Sequence, residues 1–255
     1  MVTIKIGKHT VEMYDSIEEL PIVRFHKYQK MLLIDAGIGG DIAAFDQRIE
    51  RTRRFLADGK TDKAQQELEN MRQCVYLIQN DINPKHRAFA VLVAKIDGKE
   101  ADISDKGIEQ TLLALNDAPA VAMTAQFGAV KKKIDTELIT YFPSLFSGSE
   151  IKEYYDILKQ RTLAVLQNII GGKKIDTEEV EKLTTALMTY SKPKVFAGSG
   201  SEEIRHDRQF EDLCLALSEQ LHIRPKECTV LEFYNAFDFL QDRARKAQQS
   251  AKNAR

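Results

Sequence analysis

Two short patterns in this chain carry residue types that bind metals. Glu203 and His206 stand at Glu-x-x-His spacing, and Glu219 and His222 repeat it. Residues three apart share a helix face, and two such pairs on different helices can hold a di-iron or di-manganese centre for redox chemistry. Here both pairs fall on what reads as one continuous helix. At about 1.5 Å rise per residue they lie about 24 Å apart, too far to share a cluster. Two further inward carboxylates are not evident, so a solvated helix surface is the better reading. Cys214, His222 and Cys228 lack zinc-ligand spacing and a fourth ligand. No Gly-x-Ser-x-Gly elbow and no grouping of Ser, His and Asp stands out.

Two other patterns suggest charged ligands. A phosphate loop needs a preceding strand and a Gly-Lys-Ser/Thr ending. Gly37-Ile38-Gly39-Gly40 follows a helical segment and runs into Asp41, whose charge repels phosphate, so it reads as a helix-to-helix turn. Gly171-Gly172-Lys173-Lys174 reads the same way. Arg48, Arg51 and Arg54 recur at steps of three beside Arg53, and the tail from Gln241 to Arg255 is basic. Glu50 dilutes the first patch and no aromatics interleave with it, so a solvated face is favoured over a nucleic-acid surface.

Composition sets the frame that positions these residues. The 255 residues are 43% hydrophobic and 29% charged, with a net charge of −1, which gives no global signature of nucleic-acid binding. The absence of Trp, with only six Pro and 13 Gly, favours long helices over a many-turned β fold. Cys74, Cys214 and Cys228 are too few and scattered for a disulfide framework and fit a reducing compartment. The N-terminus has no signal-peptide pattern, and no apolar run approaches the roughly 20 residues of a membrane span. A cytoplasmic protein is expected, with no membrane partner, no cofactor and no enzymatic activity.

Val2, Ile4 and Ile6, then Val11 and Met13, alternate around Gly7-Lys8-His9, which predicts a β-hairpin. Asp15 or Ser16 is placed to cap a helix entered through Ile17-Glu18-Glu19-Leu20 and running to about Asp35. A second helix carries Ile42, Phe45, Ile49 and Leu56 as its apolar stripe, with the arginines on the other faces, and stops at Asp58-Gly59. A third carries Ala64, Leu68, Met71, Val75, Ile78 and Ile82 as a heptad-like seam, broken or kinked at Pro84. Phe89, Leu92, Val93 and Ile96 continue as a buried segment, and Ile96 to Glu100 is a turn. Further helices are expected after Ser104, over 120–142 with Ile134, Leu138 and Tyr141 on one side, over 149–169 ending at Gly171-Gly172, and after Asp176 or Thr177. Pro143 to Ser149 is expected to be a loop.

The small, polar stretch SKPKVFAGSGS from Ser191 to Ser201 divides the chain. The expected fold class is mainly α: a multi-helix bundle over 1–190 with a short N-terminal β-hairpin, a flexible linker at 191–202, and a small C-terminal helical module at 203–255. Ile204, Phe210, Leu213, Leu217 and Leu221 mark the module's first helix, and Thr229 can cap its last. The basic tail is expected to fray. Phe233, Tyr234, Phe237, Phe239 and Leu240 crowd that last helix with more apolar surface than about 50 residues bury alone. These five are the candidate protein-binding residues, either docking on the chain's own body or facing a partner.

The opening TIKIGKHTVEMYD-SIEELPIVRFHKYQKMLLID and the close FEDLCLALSEQLHIRPKECTVLEFYNAFDFL resemble helical proteins of tailed bacteriophages, of the tail-assembly chaperone and virion connector type. That resemblance covers about the first 40 and last 50 residues and transfers no functional residue. It implies a non-enzymatic assembly or structural protein whose partners are other proteins, including phage structural proteins or further copies of itself, in a host cytoplasm or a virion. The alternatives are a helical metal-binding oxidoreductase using the Glu-x-x-His pairs and a nucleic-acid-binding helical protein.

Overall fold

The computed structural model describes residues 1–115, 120–146, 157, 159–164, 166, 177–190, 195–196 and 198–253. The protein is mainly α with an N-terminal β-hairpin. Strands β1 (Val2–Ile6) and β2 (His9–Met13) pair antiparallel, Val2 opposite Met13 and Ile6 opposite His9. Alternation places Val11 and Met13 in the core. The hairpin is half of a larger sheet, in the order β1-β2-β3-β4, completed by β3 (Val93–Ile96) and β4 (Lys99–Glu100). The expected buried segment from Phe89 to Ile96 is helix to Leu92 and strand from Val93, and the expected turn after it closes a second hairpin. Asp97 and Gly98 both take positive φ, 50° and 79°, so the turn at Ile96–Lys99 folds the chain back as a two-residue hairpin.

Residues 16–20 form a single turn, with Glu19 and Leu20 both donating to the Ser16 carbonyl. The first helix therefore begins later than expected, as α1 (Ile22–Gly37). α2 (Ile42–Ala57) and α3 (Thr61–Gln79) form a helical hairpin. Pro84 starts α4 (Pro84–Leu92), capped by Asn83, rather than kinking α3. α4 packs on α1 and runs directly into β3. α5 (Asp105–Ala114) is capped by Ser104, and α6 (Ala120–Tyr141) buries Ile134 and Leu138 but leaves Tyr141 exposed. The expected loop after it contains a short helix, α7 (Pro143–Phe146). The expected helix over 149–169 and the Gly171-Gly172 cap lie largely or wholly outside the described residues. α8 (Thr177–Tyr190) follows.

At the C-terminus, Ser201 caps α9 (Glu202–Leu221), and α10 (Val230–Asn253) closes the described chain. Thr229 and Glu232 make a reciprocal capping box at the start of α10. The basic tail, expected to fray, continues α10 as helix to Asn253, with residues 242–247 exposed. A large core joins both ends of the chain: Ile6, Phe25, Tyr28, Phe89, Ile134, Leu217, Val230 and Phe233 belong to one apolar cluster. A smaller cluster holds Ile38, Cys74 and Phe196. No helix among the described residues is long and apolar enough to cross a membrane.

Candidate functional site

The candidate contact residues at 233–240 divide sharply. Phe233 is 1% exposed, edge-on to Tyr234 and stacked with Phe210. Tyr234 meets Phe25, Phe142 and Phe146, and its burial pushes the phenol up to about 12. Phe237 and Leu240 are partly buried against the same core. Phe239 is 55% exposed, with the Arg243 guanidinium 5.8 Å from its ring centre. The aromatic excess is thus largely absorbed by docking on the body. The residues of 191–202 that are described include one anchor, since Phe196 is buried beside Gly37, Ile38 and Cys74. Ser191 to Lys194 and Ala197 lie outside the described residues.

α9 reaches α1 through a polar clasp at the rim of this core. His26 and Lys30, one turn apart on α1, both meet Asp207: His26 Nε2 at 2.9 Å and Lys30 Nζ at 2.6 Å. The His26 ring stacks between His206 and Phe210, at 4.3 and 4.1 Å. Burial lowers the His26 pKa from its ordinary value, against the opposing pull of Asp207. Burial alone would raise the Asp207 carboxyl, but Lys30 and His26 together hold it below the usual range. Beside the clasp is a groove of about 150 Å³ floored by Phe25, Phe210 and Phe233.

Ligand atoms of His26, His206 and Asp207 lie within 4.8 Å of one another. Their arrangement is poor for a cation. An imidazole binds a metal in its ring plane, and planes only 13° apart with centres 4.3 Å apart cannot both contain one ion. Both Asp207 oxygens are also already engaged. Among the described residues, no Ser, Thr or Cys lines the groove. Glu203-x-x-His206 and Glu219-x-x-His222 do lie along one helix. His222 has left the helical conformation at φ 54°, ending α9. The contact that matters for His206 is with residue 26, for which no local sequence signal exists.

The α2–α3 hairpin inverts the expected pattern. Arg48, Thr52 and Phe55 of α2 are buried against Ala64, Glu67, Asn70 and Cys74 of α3. Glu67 is fully buried and accepts from Arg48 Nη1 and Arg51 Nη1, each at 2.9 Å. Arg48 Nε also donates to the Ile38 carbonyl at 2.7 Å, tying α2 to the end of α1. The expected inward stripe instead faces solvent: Ile42 is 71%, Ile49 37% and Leu56 56% exposed. Phe45 alone of that stripe packs on the small core cluster. On α3 the heptad-like seam is divided: Ala64 is buried, Met71, Val75 and Ile78 are partly buried and Leu68 is exposed, while the other fully buried positions, Glu67, Asn70 and Cys74, run alongside it. The Gly37–Gly40 stretch is the α1–α2 turn, and the Asp41 carboxylate caps α2 by accepting from Ala44 N–H at 2.7 Å. A polar notch of about 240 Å³ beside it sets Asp35 and Asp41 against Lys85, Arg48 and Arg51, with burial raising the Asp35 carboxyl.

Comparison with protein-family models, with characterised proteins and with solved structures finds no match to this chain.

Proposed function

We propose that this protein is a non-enzymatic assembly or structural protein that works through helix-mediated protein contacts, with α2 as its principal contact element. The observation that carries this reading is the exposed stripe of Ile42, Ile49 and Leu56 beside a buried Arg48–Glu67 pair, which the partly exposed Arg51 also joins. Burying the Arg48 guanidinium and the Glu67 carboxylate costs desolvation, while each large aliphatic side chain left partly in water forgoes part of the roughly 1.5–3 kcal/mol that its full burial would give. An arrangement unfavourable on both counts for an isolated chain makes sense where the apolar face is covered by another helix. The resemblance of the two chain ends to helical tailed-phage proteins suggests virion or tail structural proteins as the partner class.

The test compares the full chain with its Ile42→Lys/Ile49→Lys/Leu56→Lys variant, each recovered from the cells that make it. The wild type is expected in a complex larger than its 29.0 kDa chain mass, and the variant as a folded monomer with unchanged circular dichroism. Recovery of both in the same complex, or of both as monomers, overturns the reading.

A further inference from the structure

We infer that the occupant of the α2 face is a second copy of this chain, packed antiparallel along α2; this rests on the contact role proposed above and names its partner. Ile42, Ile49 and Leu56 fall at intervals of seven, the spacing of one coiled-coil seam position. The order is symmetric about Ile49. Laid antiparallel on itself, α2 places Ile42 against the second copy's Leu56 and Ile49 against the second copy's Ile49.

The charges bordering the stripe select this direction. Asp46 lies four residues after Ile42, and Arg53 four residues after Ile49, so both stand on the same side of the stripe. Both are exposed; Arg53 has 77% of its side chain in solvent and only a 3.7 Å contact with Glu50. In the antiparallel pair, Asp46 comes within one residue, about 1.5 Å along the axis, of the second copy's Arg53 on the same side of the seam, and the two-fold axis repeats that pair. A parallel pair sets Asp46 level with its own counterpart and Arg53 level with its own, so it offers no opposite charge. The face is complementary to itself in one direction only, and the inward Arg48 and Thr52 leave no room for a second seam on the hairpin side. Three apolar layers make a small interface, so association on the order of micromolar is expected.

The experiment is sedimentation of the purified full chain over a concentration series, with charge reversal and rescue. The wild type should approach twice 29.0 kDa as concentration rises. Asp46→Arg alone, and Arg53→Asp alone, each bring like charges together and should weaken association at least about tenfold. Asp46→Arg/Arg53→Asp should restore it. Circular dichroism should be unchanged throughout, because both side chains are exposed. A wild type that stays monomeric, or a double variant no better than the singles, overturns self-pairing. If the purified chain is monomeric but loses its cellular complex on stripe substitution, the contact role stands and only the identity of the partner fails.

Discussion

Arg48 Nη1 and Glu67 Oε2 meet at 2.9 Å between α2 and α3, with 5% and none of their side chains exposed. A buried pair is weakly stabilising while intact, but breaking it strands its charges. Glu67→Gln removes the carboxylate from two guanidiniums and should lower unfolding free energy by about 3–5 kcal/mol in urea titrations. Replacing Glu67 and Arg48 together by Leu and Met should cost much less. Equal losses in the single and double variants would remove the ion pair from the account of how α2 is mounted.

The clasp between α1 and α9 should respond to pH. Burial places the His26 pKa below its ordinary 6.5, so the unfolded chain takes up this proton first as pH falls. Stability from His26 is therefore full above pH 6.5 and declines as pH falls through 6.5 toward the folded value. Asp207, held below 3.8, adds its own loss only below that pH. The charges facing His26 are Asp207, Lys30 and Glu211. Melting temperature followed from pH 7.5 to 5 should fall for the wild type and fall less for His26→Phe. An identical slope in both would show that His26 does not carry the effect.

Phe233 and Phe239 sit six residues apart on α10, yet only the first belongs to the core. Phe233→Ala should cost about 3–5 kcal/mol and loosen α9 and α10 together. Phe239→Ala should change stability by less than about 0.5 kcal/mol. Chemical denaturation distinguishes the two, and comparable losses would mean that α10 docks through a different face.

A side chain at Gly37 would collide with Phe196, whose Cζ lies 1.9 Å from the position a Cβ would take. Gly37→Ala should expel that ring and lose the roughly 1.5–3 kcal/mol of its burial, despite the better helix propensity of alanine. Hydrogen exchange should then rise around Phe196. Unchanged exchange and stability would mean that the segment before α9 has no anchor on α1.

Legibility tracked the range of the forces involved. The hairpin of β1 and β2 was readable because alternation and the Gly7 turn are local signals, and Thr229 was readable as a cap for the same reason. The start of β3 is hidden in the apolar run Ala88–Ala94, which is buried as helix and strand alike, so no change of period marks Leu92 to Val93. Asp97-Gly98 marks the turn in the sequence but not the strands on either side of it. The α2 face departs from the rule that apolar residues point inward, because Glu67 on the next helix draws Arg48 inside. The clasp of His26 on Asp207 spans 181 residues and leaves no trace in local spacing.

The account turns on α2 carrying its apolar stripe outward. Thiol labelling at nanomolar concentration, where a weak dimer dissociates, tests this most directly, in a Cys228→Ser background that leaves only the buried Cys74 and Cys214. Leu56→Cys should react at close to the rate of an unstructured peptide, and Thr52→Cys, four residues earlier and 6% exposed, at least about a hundredfold more slowly. Fast labelling at position 52 with protection at 56 would contradict the account, because it would put the aliphatic stripe inside and the charged cluster outside.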